Sequence, residues 1–255
     1  MVSEREREEF DRTGILKIDG AFRAVDAARM RDVVWNELRH RYEIDRDDPL
    51  TWDRHPPTGL KSSKRSRAFD PMLGSITAAA LDDLFGAGRW QPPKSMGNVL
   101  VTMPNADEWR VPHRVWHSDF DAGYGVEKLF AVKVWAIVSE VRPHGGGTPQ
   151  LLGSHQLFAR YLAGTDERDF RTLRLGLMRT HPWLKQLTVD GGDPDRNADL
   201  MDQEVDIDGL PARVVELTGD PGDIFITHPW VFHTIADNAL DQPRIMRSTA
   251  VFARP

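Results

Sequence analysis

The stretch of sequence that decides the fold is the longest strand-like run of the chain, Leu129-Phe130-Ala131-Val132-Lys133-Val134-Trp135-Ala136-Ile137-Val138. Shorter runs of the same character are separated from it and from one another by Gly, Pro and Asp, at residues 98–103, 213–217, 223–227 and 244–252. Antiparallel strands in this number predict a double-sheet jelly roll. The expected fold class is mainly β with flanking helices around a double-stranded β-helix, cupin-like core.

The N-terminal third is predicted to be helical. A first helix begins after Ser3 and stops at Gly14, and apolar residues at helical spacing predict a second helix over about residues 25–41. Asp70, followed by a proline, predicts the N-cap of a third helix that ends near Gly86.

The remaining segments complete the expected organisation. Residues 15–18 indicate a short strand, 43–70 an irregular loop, 156–187 mostly helix and 188–211 a long polar loop. The sequence predicts a single domain over residues 1–255, with a helical N-terminal part over about 1–95, a jelly-roll core over about 96–255 and an insertion over about 156–211.

Composition limits the classes of function. The 255 residues are 40% hydrophobic and 28% charged, and the net charge of −6 argues against nucleic acid as a partner. The chain has no cysteine, so a transition metal would be bound by nitrogen and oxygen ligands. We expect no signal peptide and no membrane span, a cytoplasmic location and a small-molecule substrate. Composition does not indicate the oligomeric state.

The first candidate metal ligands are His117 and Asp119, in the run Val115-Trp116-His117-Ser118-Asp119-Phe120. If this run is a strand, the two side chains point to the same face and can converge on one ion. The chain offers His228 and His233 as a second imidazole. Two imidazoles and one carboxylate form the facial triad that holds Fe(II) and leaves positions open for small ligands such as O2.

An arginine downstream is the expected partner for the carboxylate of a cosubstrate bound to the metal, because a guanidinium can donate two hydrogen bonds to it. Arg244 and Arg247 lie on opposite faces of the last strand-like run. Alternation of residue types does not show which face is the core, so both arginines are candidates.

These motifs together resemble the phytanoyl-CoA dioxygenase (PhyH-like) family of Fe(II)- and 2-oxoglutarate-dependent oxygenases. The Trp-His-x-Asp run resembles its first metal motif, and residues 146–155, Gly-Gly-Thr-Pro-Gln-Leu-Leu-Gly-Ser-His, resemble its Gly-Gly-Thr…Pro-Gly-Ser-His turn with Leu152 in place of the usual proline. Gly222-Asp223, His228, His233, Asn238 and Arg244 match its C-terminal motif in order and spacing. The similarity spans most of the chain except residues 43–70 and 160–212.

The resemblance implies that His117, Asp119 and His233 bind iron and that Arg244 binds the distal carboxylate of 2-oxoglutarate. It also places Trp135 beside the cosubstrate, with Thr148 as a further candidate.

One position departs from the family. Ile235 stands where the family often has a small or hydroxyl residue. This departure puts in doubt one hydrogen bond to the cosubstrate.

The activity implied is that of a dioxygenase that uses O2 and 2-oxoglutarate, hydroxylates an unactivated C–H bond of a small molecule and releases succinate and CO2. Related halogenases replace the carboxylate ligand with a small residue, so Asp119 favours hydroxylation, or desaturation or ring formation. The alternatives are a non-catalytic jelly-roll binding protein and a cupin-type metal enzyme that does not use 2-oxoglutarate.

Three further features have open interpretations. Lys133 shares a strand face with Trp135, and points either into the barrel toward an anion or to water at its edge. The basic run Lys61-Ser62-Ser63-Lys64-Arg65-Ser66-Arg67 steers an anionic substrate or is a solvated loop. Four tryptophans either line an apolar pocket or pack in the core: Trp52, Trp109, Trp183 and Trp230.

Overall fold

The strands of the protein form two antiparallel sheets. The computed structural model describes residues 2–52, 60–113, 115–189 and 194–254. The strands in these ranges are β1 Ile15–Ile18, β2 Trp90–Gln91, β3 Asn98–Thr102, β4 Ala131–Ile137, β5 Pro149–Leu152, β6 Val205–Ile207, β7 Leu210–Glu216, β8 Ile224–Thr227, β9 Phe232–His233 and β10 Arg244–Ala253. The larger sheet has the order β1-β8-β4-β10-β2, with β3 also paired to β10, and the smaller has the order β6-β7-β5-β9. The predicted jelly-roll core with flanking helices is confirmed.

The central strand β4 lies within the run 129–138 that predicts the fold. It pairs with β10 on one side and β8 on the other, and six of its seven residues are buried. β1 pairs with β8 over four residues, so the N-terminal part of the chain contributes an edge strand to the core sheet.

Helices cover both sheets. They are α1 Glu4–Thr13, α2 Ala24–Tyr42, α3 Lys61–Arg65, α4 Ser75–Phe85, α5 Ser154–Ala163, α6 Phe170–Leu177 and α7 Pro182–Gln186, with 3-10 turns at Pro49–Thr51, Arg67–Leu73 and Ala122–Tyr124 and a π turn at Ala198–Asp202. No helix among the described residues is both long and apolar enough to cross a membrane.

The ends of the first helix follow from its caps. The Ser3 hydroxyl accepts a hydrogen bond from the Glu6 backbone N–H, and the Glu6 carboxylate accepts from the Ser3 backbone N–H, which is a complete capping box. Gly14 ends the helix in the left-handed region at φ 81°. The predictions for α1, β1 and α2 are confirmed.

The third helix starts later than predicted. Asp70 and the proline after it lie in the 3-10 turn Arg67–Leu73, and α4 begins only at Ser75, although it ends at Phe85 as expected. The prediction of an irregular loop over 43–70 is wrong for the short helix α3 and this turn, and residues 53–59 lie outside the described residues. Both α3 and the 3-10 turn Arg67–Leu73 are too short to give a periodic apolar pattern in the sequence.

Several strands escaped prediction for a similar reason. β2 and β9 have two residues each, and β5 contains a proline at its first position. The segment predicted as a polar loop over 188–211 holds the π turn and β6, while 190–193 lie outside the described residues. The helical prediction for 156–187 is confirmed by α5, α6 and α7.

The buried apolar residues form three clusters. One packs the N-terminal helices against the outer face of the larger sheet, and a second packs the helices of residues 154–187 against the smaller sheet. The third lies between the sheets and consists of Trp135, Ile137, Val141, Leu217, Phe225 and Met246. This last cluster is small, which leaves space for a cavity inside the jelly roll.

Gly153 provides a test of the junction between β5 and α5. It has φ 75°, and a Cβ at this position would collide with the carbonyl oxygen of Pro211 in β7. We expect Gly153→Ala to lower the free energy of unfolding by more than about 3 kcal/mol, since strain adds to the clash. The measurement is urea unfolding followed by circular dichroism.

The matched control is Gly209→Ala. Gly209 has φ 82°, and a Cβ added there would meet no atom within 4 Å, so only the backbone cost of roughly 1–2 kcal/mol applies. Equal destabilisation by the two substitutions would contradict the close approach of β5 and β7.

Candidate metal centre

Two histidines and one aspartate meet inside the jelly roll. One ligand atom from each of His117, Asp119 and His233 lies within 4.8 Å of the others. His233 ends β9, and the backbone N–H groups of His117 and His233 each donate to the other residue's carbonyl oxygen at 2.9 Å. These reciprocal bonds place the two imidazoles side by side, with ring centroids 4.6 Å apart.

The hydrogen bonds of the two imidazoles select the form that binds metal. Nδ1 of His117 lies 3.1 Å from the Val115 carbonyl oxygen, and Nδ1 of His233 lies 3.4 Å from that of Val231. A carbonyl oxygen only accepts, so each Nδ1 carries the hydrogen and each Nε2 keeps its lone pair. The two Nε2 atoms lie 3.8 and 3.5 Å from the Asp119 carboxylate.

Burial keeps both imidazoles neutral. Loss of hydration lowers the pKa of His117 and lowers that of His233 further, and the nearby Lys133 acts in the same direction on both. Neutral imidazole is the form that coordinates a metal. Two neutral Nε2 atoms and one carboxylate oxygen therefore fit a facial triad for Fe(II).

The segment that carries His117 and Asp119 is not a regular strand, contrary to the assumption behind its prediction. His117 makes an isolated bridge and Asp119 lies in a bend. Side-chain contacts fix the segment instead: the Trp116 indole N–H donates to the Pro112 carbonyl oxygen, and the Ser118 hydroxyl donates to that of Pro229. Arg174 of α6 donates to the Trp116 carbonyl oxygen from outside.

His228 lies in a different environment. Its ring packs 4.8 Å from that of His155, and its Nδ1 accepts the backbone N–H of Trp230. Burial lowers the pKa of His228 to about 3. Of the two candidate distal histidines, the structure brings His233 to Asp119 and gives His228 a place in packing.

Lys133 points into the barrel. Its side chain is only 14% exposed, its ammonium contacts the Asp119 carboxylate, and its Nζ lies 4.2 Å from the centroid of the Trp135 ring. Burial lowers the pKa of Lys133 to about 7. The interpretation as an edge lysine reaching water does not describe this side chain.

The triad opens into a cavity of about 540 Å³, a size usual for small-molecule sites. Its walls include the three candidate metal ligands and also the three residues predicted to contact the cosubstrate, Trp135, Thr148 and Arg244. Trp135 holds its indole N–H against the Thr227 hydroxyl at 3.1 Å, and its ring meets the His233 ring edge-on at 5.0 Å. The six residues thus share one chamber.

Arg244 is buried with its charge intact. Its Nε donates to the Gly146 carbonyl oxygen at 2.6 Å and one terminal nitrogen donates to that of Leu100 at 3.3 Å. Burial lowers the pKa of Arg244 to about 10, still well above neutrality. These two bonds use two of the five N–H donors of the guanidinium, so donors remain for a carboxylate in the cavity.

Glu216 supports the turn that holds Arg244. Its carboxylate accepts the backbone N–H of His144 at 2.6 Å and that of Gly147 at 2.8 Å, on either side of the Gly146 carbonyl that Arg244 contacts. Burial raises the pKa of Glu216 to about 7 despite these bonds. No local pattern in the sequence indicates this residue, because its partners are about 70 positions away.

Arg247 faces away from the cavity, as its odd spacing from Arg244 along β10 requires. It is fully buried, and its guanidinium donates to the carbonyl oxygens of Ser63, Lys64 and Met96. Of the two candidate arginines, Arg244 therefore lines the cavity and Arg247 holds α3 in place.

Other motif residues have structural places. The Asn238 side chain is buried and bonds the carbonyl oxygens of Thr102 and Gln242, closing the turn before β10. Ile235 is 58% exposed at the cavity wall. None of the four candidate tryptophans lines this cavity; they pack elsewhere, as Trp109 does on His144 at 5.1 Å.

One wall of the cavity was not predicted from the sequence. Residues 98–102 of β3 line it, as do Lys61 and Lys64 of α3 and Leu60 directly before this helix. The basic run was visible in the sequence, but its position was not.

Known proteins share the fold at low sequence identity. No protein-family model matches the sequence, and no curated protein matches it. Among solved structures, HygX from Streptomyces hygroscopicus with nickel and 2-oxoglutarate bound has a TM-score of 0.57 at 16% identity, over 99% of this chain and 88% of that one. The non-heme alpha ketoglutarate dependent carbocyclase SnoK from nogalamycin biosynthesis has a TM-score of 0.55 at 15% identity, over 99% and 87%. The epimerase SnoN, in complex with Fe3+, alpha ketoglutarate and nogalamycin RO, has 0.54 at 18%, over 99% and 86%. Such similarity establishes the fold.

The carboxyl group of Glu216 makes stability depend on pH. With its folded pKa raised to about 7, it keeps a proton between pH 4.5 and 7 that the unfolded chain has lost, so stability falls as the pH rises through this window. We expect the free energy of unfolding of the wild type to fall relative to that of Glu216→Gln, by up to about 3 kcal/mol from pH 4.5 to 7.5. Urea unfolding at several pH values measures the difference. Parallel curves for the two proteins would contradict the raised pKa.

Proposed function

We propose that the protein is an Fe(II)- and 2-oxoglutarate-dependent dioxygenase that hydroxylates an unactivated C–H bond of a small molecule and releases succinate and CO2. The observation that carries the proposal is the convergence of two neutral Nε2 atoms and one carboxylate in a cavity that Arg244 also lines. The triad would hold a metal that one end of a dicarboxylate can chelate, and the buried guanidinium of Arg244 in the same cavity would bind the other carboxylate.

Fe(II) with 2-oxoglutarate and O2 would supply the oxidising power. The residues of the protein would hold the metal and the cosubstrate and would exclude water from them. His117, Asp119 and His233 would hold the metal through three ligand atoms and leave its remaining positions free. Arg244 would anchor the distal carboxylate of the cosubstrate, and the buried Trp135 would limit water beside it.

Asp119 bears on the type of reaction. A carboxylate ligand takes up the coordination position that a halide would need, so its presence supports transfer of oxygen. Hydroxylation is the outcome we propose. An epimerase and a carbocyclase are among the proteins with this fold, so product analysis is needed to separate hydroxylation from desaturation or ring formation.

The finer relationship to the phytanoyl-CoA dioxygenase family is likewise a proposal. It rests on the order and spacing of the motifs at residues 117–119, 146–155 and 222–244. The structure supports the wider group of non-heme iron oxygenases through the fold.

The metal site can be tested by anaerobic addition of Fe(II) and 2-oxoglutarate. The wild type should develop the visible charge-transfer band of the chelate. Asp119→Ala should lose it, because one of three ligands is removed and the ammonium of Lys133 is left without its carboxylate. The control is His113→Ala, which removes an exposed imidazole outside the triad and should keep the band.

Absence of the band in the wild type would overturn the proposal. A band of wild-type strength in Asp119→Ala would show that Asp119 is not needed to hold the metal and would contradict its assignment as a ligand.

Arg244 distinguishes a 2-oxoglutarate-dependent enzyme from the alternatives. Arg244→Gln removes a charged donor pair worth about 3 kcal/mol, so the Kd of 2-oxoglutarate for the Fe(II)-loaded protein should rise on the order of 100-fold. The Kd of the metal should stay nearly unchanged. The measurement is anaerobic titration of the chelate band, and Arg244→Lys should recover part of the loss.

Full turnover by Arg244→Gln would instead favour a cupin-type enzyme that does not use 2-oxoglutarate. Stoichiometric succinate release tests the other alternative, since a non-catalytic binding protein would release none with any substrate.

A further inference from the structure

The cavity that holds the triad is strongly cationic. Among its described lining residues the basic side chains are Lys61, Lys64, Lys133 and Arg244, and the single carboxylate, that of Asp119, contacts Lys133. Lys61, Lys64 and Arg244 therefore have no carboxylate partner on the described cavity wall. A divalent metal and doubly charged 2-oxoglutarate cancel each other, so they would leave this excess of positive charge unchanged. Such a cavity favours a further anion.

Lys61 and Lys64 belong to α3, and hydrogen bonds from other elements hold this helix in place. α3 is short, but the buried carboxylate of Glu37 accepts the backbone N–H groups of Ser62 and Ser63 at its start. Arg247 donates to the carbonyl oxygens of Ser63 and Lys64. α3 is thus held at both ends by buried charges from α2 and β10, which is unlike a solvated loop.

The same anchoring divides the basic run. Lys61 and Lys64 line the cavity, and Lys64 donates to the Asn98 side chain at 3.2 Å. Arg67 forms an exposed ion pair with Asp70 and lies outside the cavity wall. Two of the basic residues are therefore directed to the chamber by the fold.

The register of the sheet gives the separation between the strand that Lys64 contacts and the strand beside the metal centre. Asn98 pairs with Ser248 and Ser248 pairs with Trp135, whose ring contacts that of His233. Two strand spacings of about 4.8 Å separate Asn98 from Trp135, on the order of 10 Å. The wall beside this path is mostly apolar, with Leu60, Leu100 and Ile235.

We propose that the substrate is an organic anion with an apolar body, whose carboxylate or phosphate group binds Lys61 and Lys64 while a carbon on the order of 10 Å away reaches the metal centre. This assignment of a substrate class rests on the proposed function. Lys61 and Lys64 are specificity-determining residues on the α3 wall of the cavity, where both are open to solvent. Ile235, which departs from the family pattern, contacts the apolar body.

The test uses octanoate, octyl phosphate and neutral octanamide as probes, because an eight-carbon chain has about the required length. Each is titrated by ligand-observed NMR relaxation into protein loaded with Mn(II) and 2-oxoglutarate. We expect the anions to bind at least about tenfold more tightly than octanamide, with the terminal methyl protons relaxed more strongly than the protons beside the anionic group. Comparison of the two anions shows which group the lysines recognise.

The variant Lys61→Gln with Lys64→Gln should lose the preference for anions and keep the affinity for octanamide. The control, Lys128→Gln with Lys185→Gln, removes the same charge from exposed lysines outside the cavity and should keep the preference. Both variants are first checked for wild-type thermal unfolding.

Equal binding of octanoate and octanamide, no binding of either anion, or an anion preference that survives in Lys61→Gln/Lys64→Gln would overturn the inference. These outcomes are separate from failure of the proposed function, which would appear as loss of Mn(II) and 2-oxoglutarate loading. The probe titration can then still be followed by saturation transfer on the metal-free protein.

Discussion

The candidate site depends on the reciprocal pair of backbone hydrogen bonds between His117 and His233. These two residues are far apart in the chain, and each N–H donates to the other's carbonyl oxygen. β9 pairs in turn with β5, with Gln150 opposite His233. The bonds therefore attach an irregular segment to the edge of the smaller sheet. Because both imidazoles are fixed through their backbones and through Nδ1, the two Nε2 atoms face Asp119 before any metal binds.

The sequence predicted structure correctly where the pattern of residues within one segment determines it. Period-two alternation along β10 separates Arg244 from Arg247 by face, and a strand of β-branched and aromatic residues identified β4 as part of the core. Prediction failed where long-range contacts decide the structure. The two residues of β9 carry no periodicity, and α3 is helical because Glu37 and Arg247 satisfy its ends. Glu216 acts on a turn about 70 residues upstream, so no local pattern could indicate it.

Buried charges serve two different purposes in this fold. Arg247 and Glu37 bond mainly to backbone groups of the protein, so their desolvation is offset by hydrogen bonds that need no ligand. Arg244 and Lys133 face the cavity, where the described residues supply one carboxylate between them, that of Asp119. The first pair stabilises the fold, whereas the second pair leaves electrostatic potential for a ligand.

Lys133 connects this potential to the metal centre. A lone carboxylate beside two imidazoles in a half-buried chamber is costly to desolvate, and the ammonium of Lys133 compensates it. A divalent cation at the triad would compete with this ammonium for the same carboxylate, and the lysine would then need another anion. If the proposed function holds, the carboxylate of a cosubstrate bound in the cavity would supply that charge. Metal and cosubstrate binding should therefore be mutually favourable here, because the cosubstrate neutralises the charge that the metal displaces.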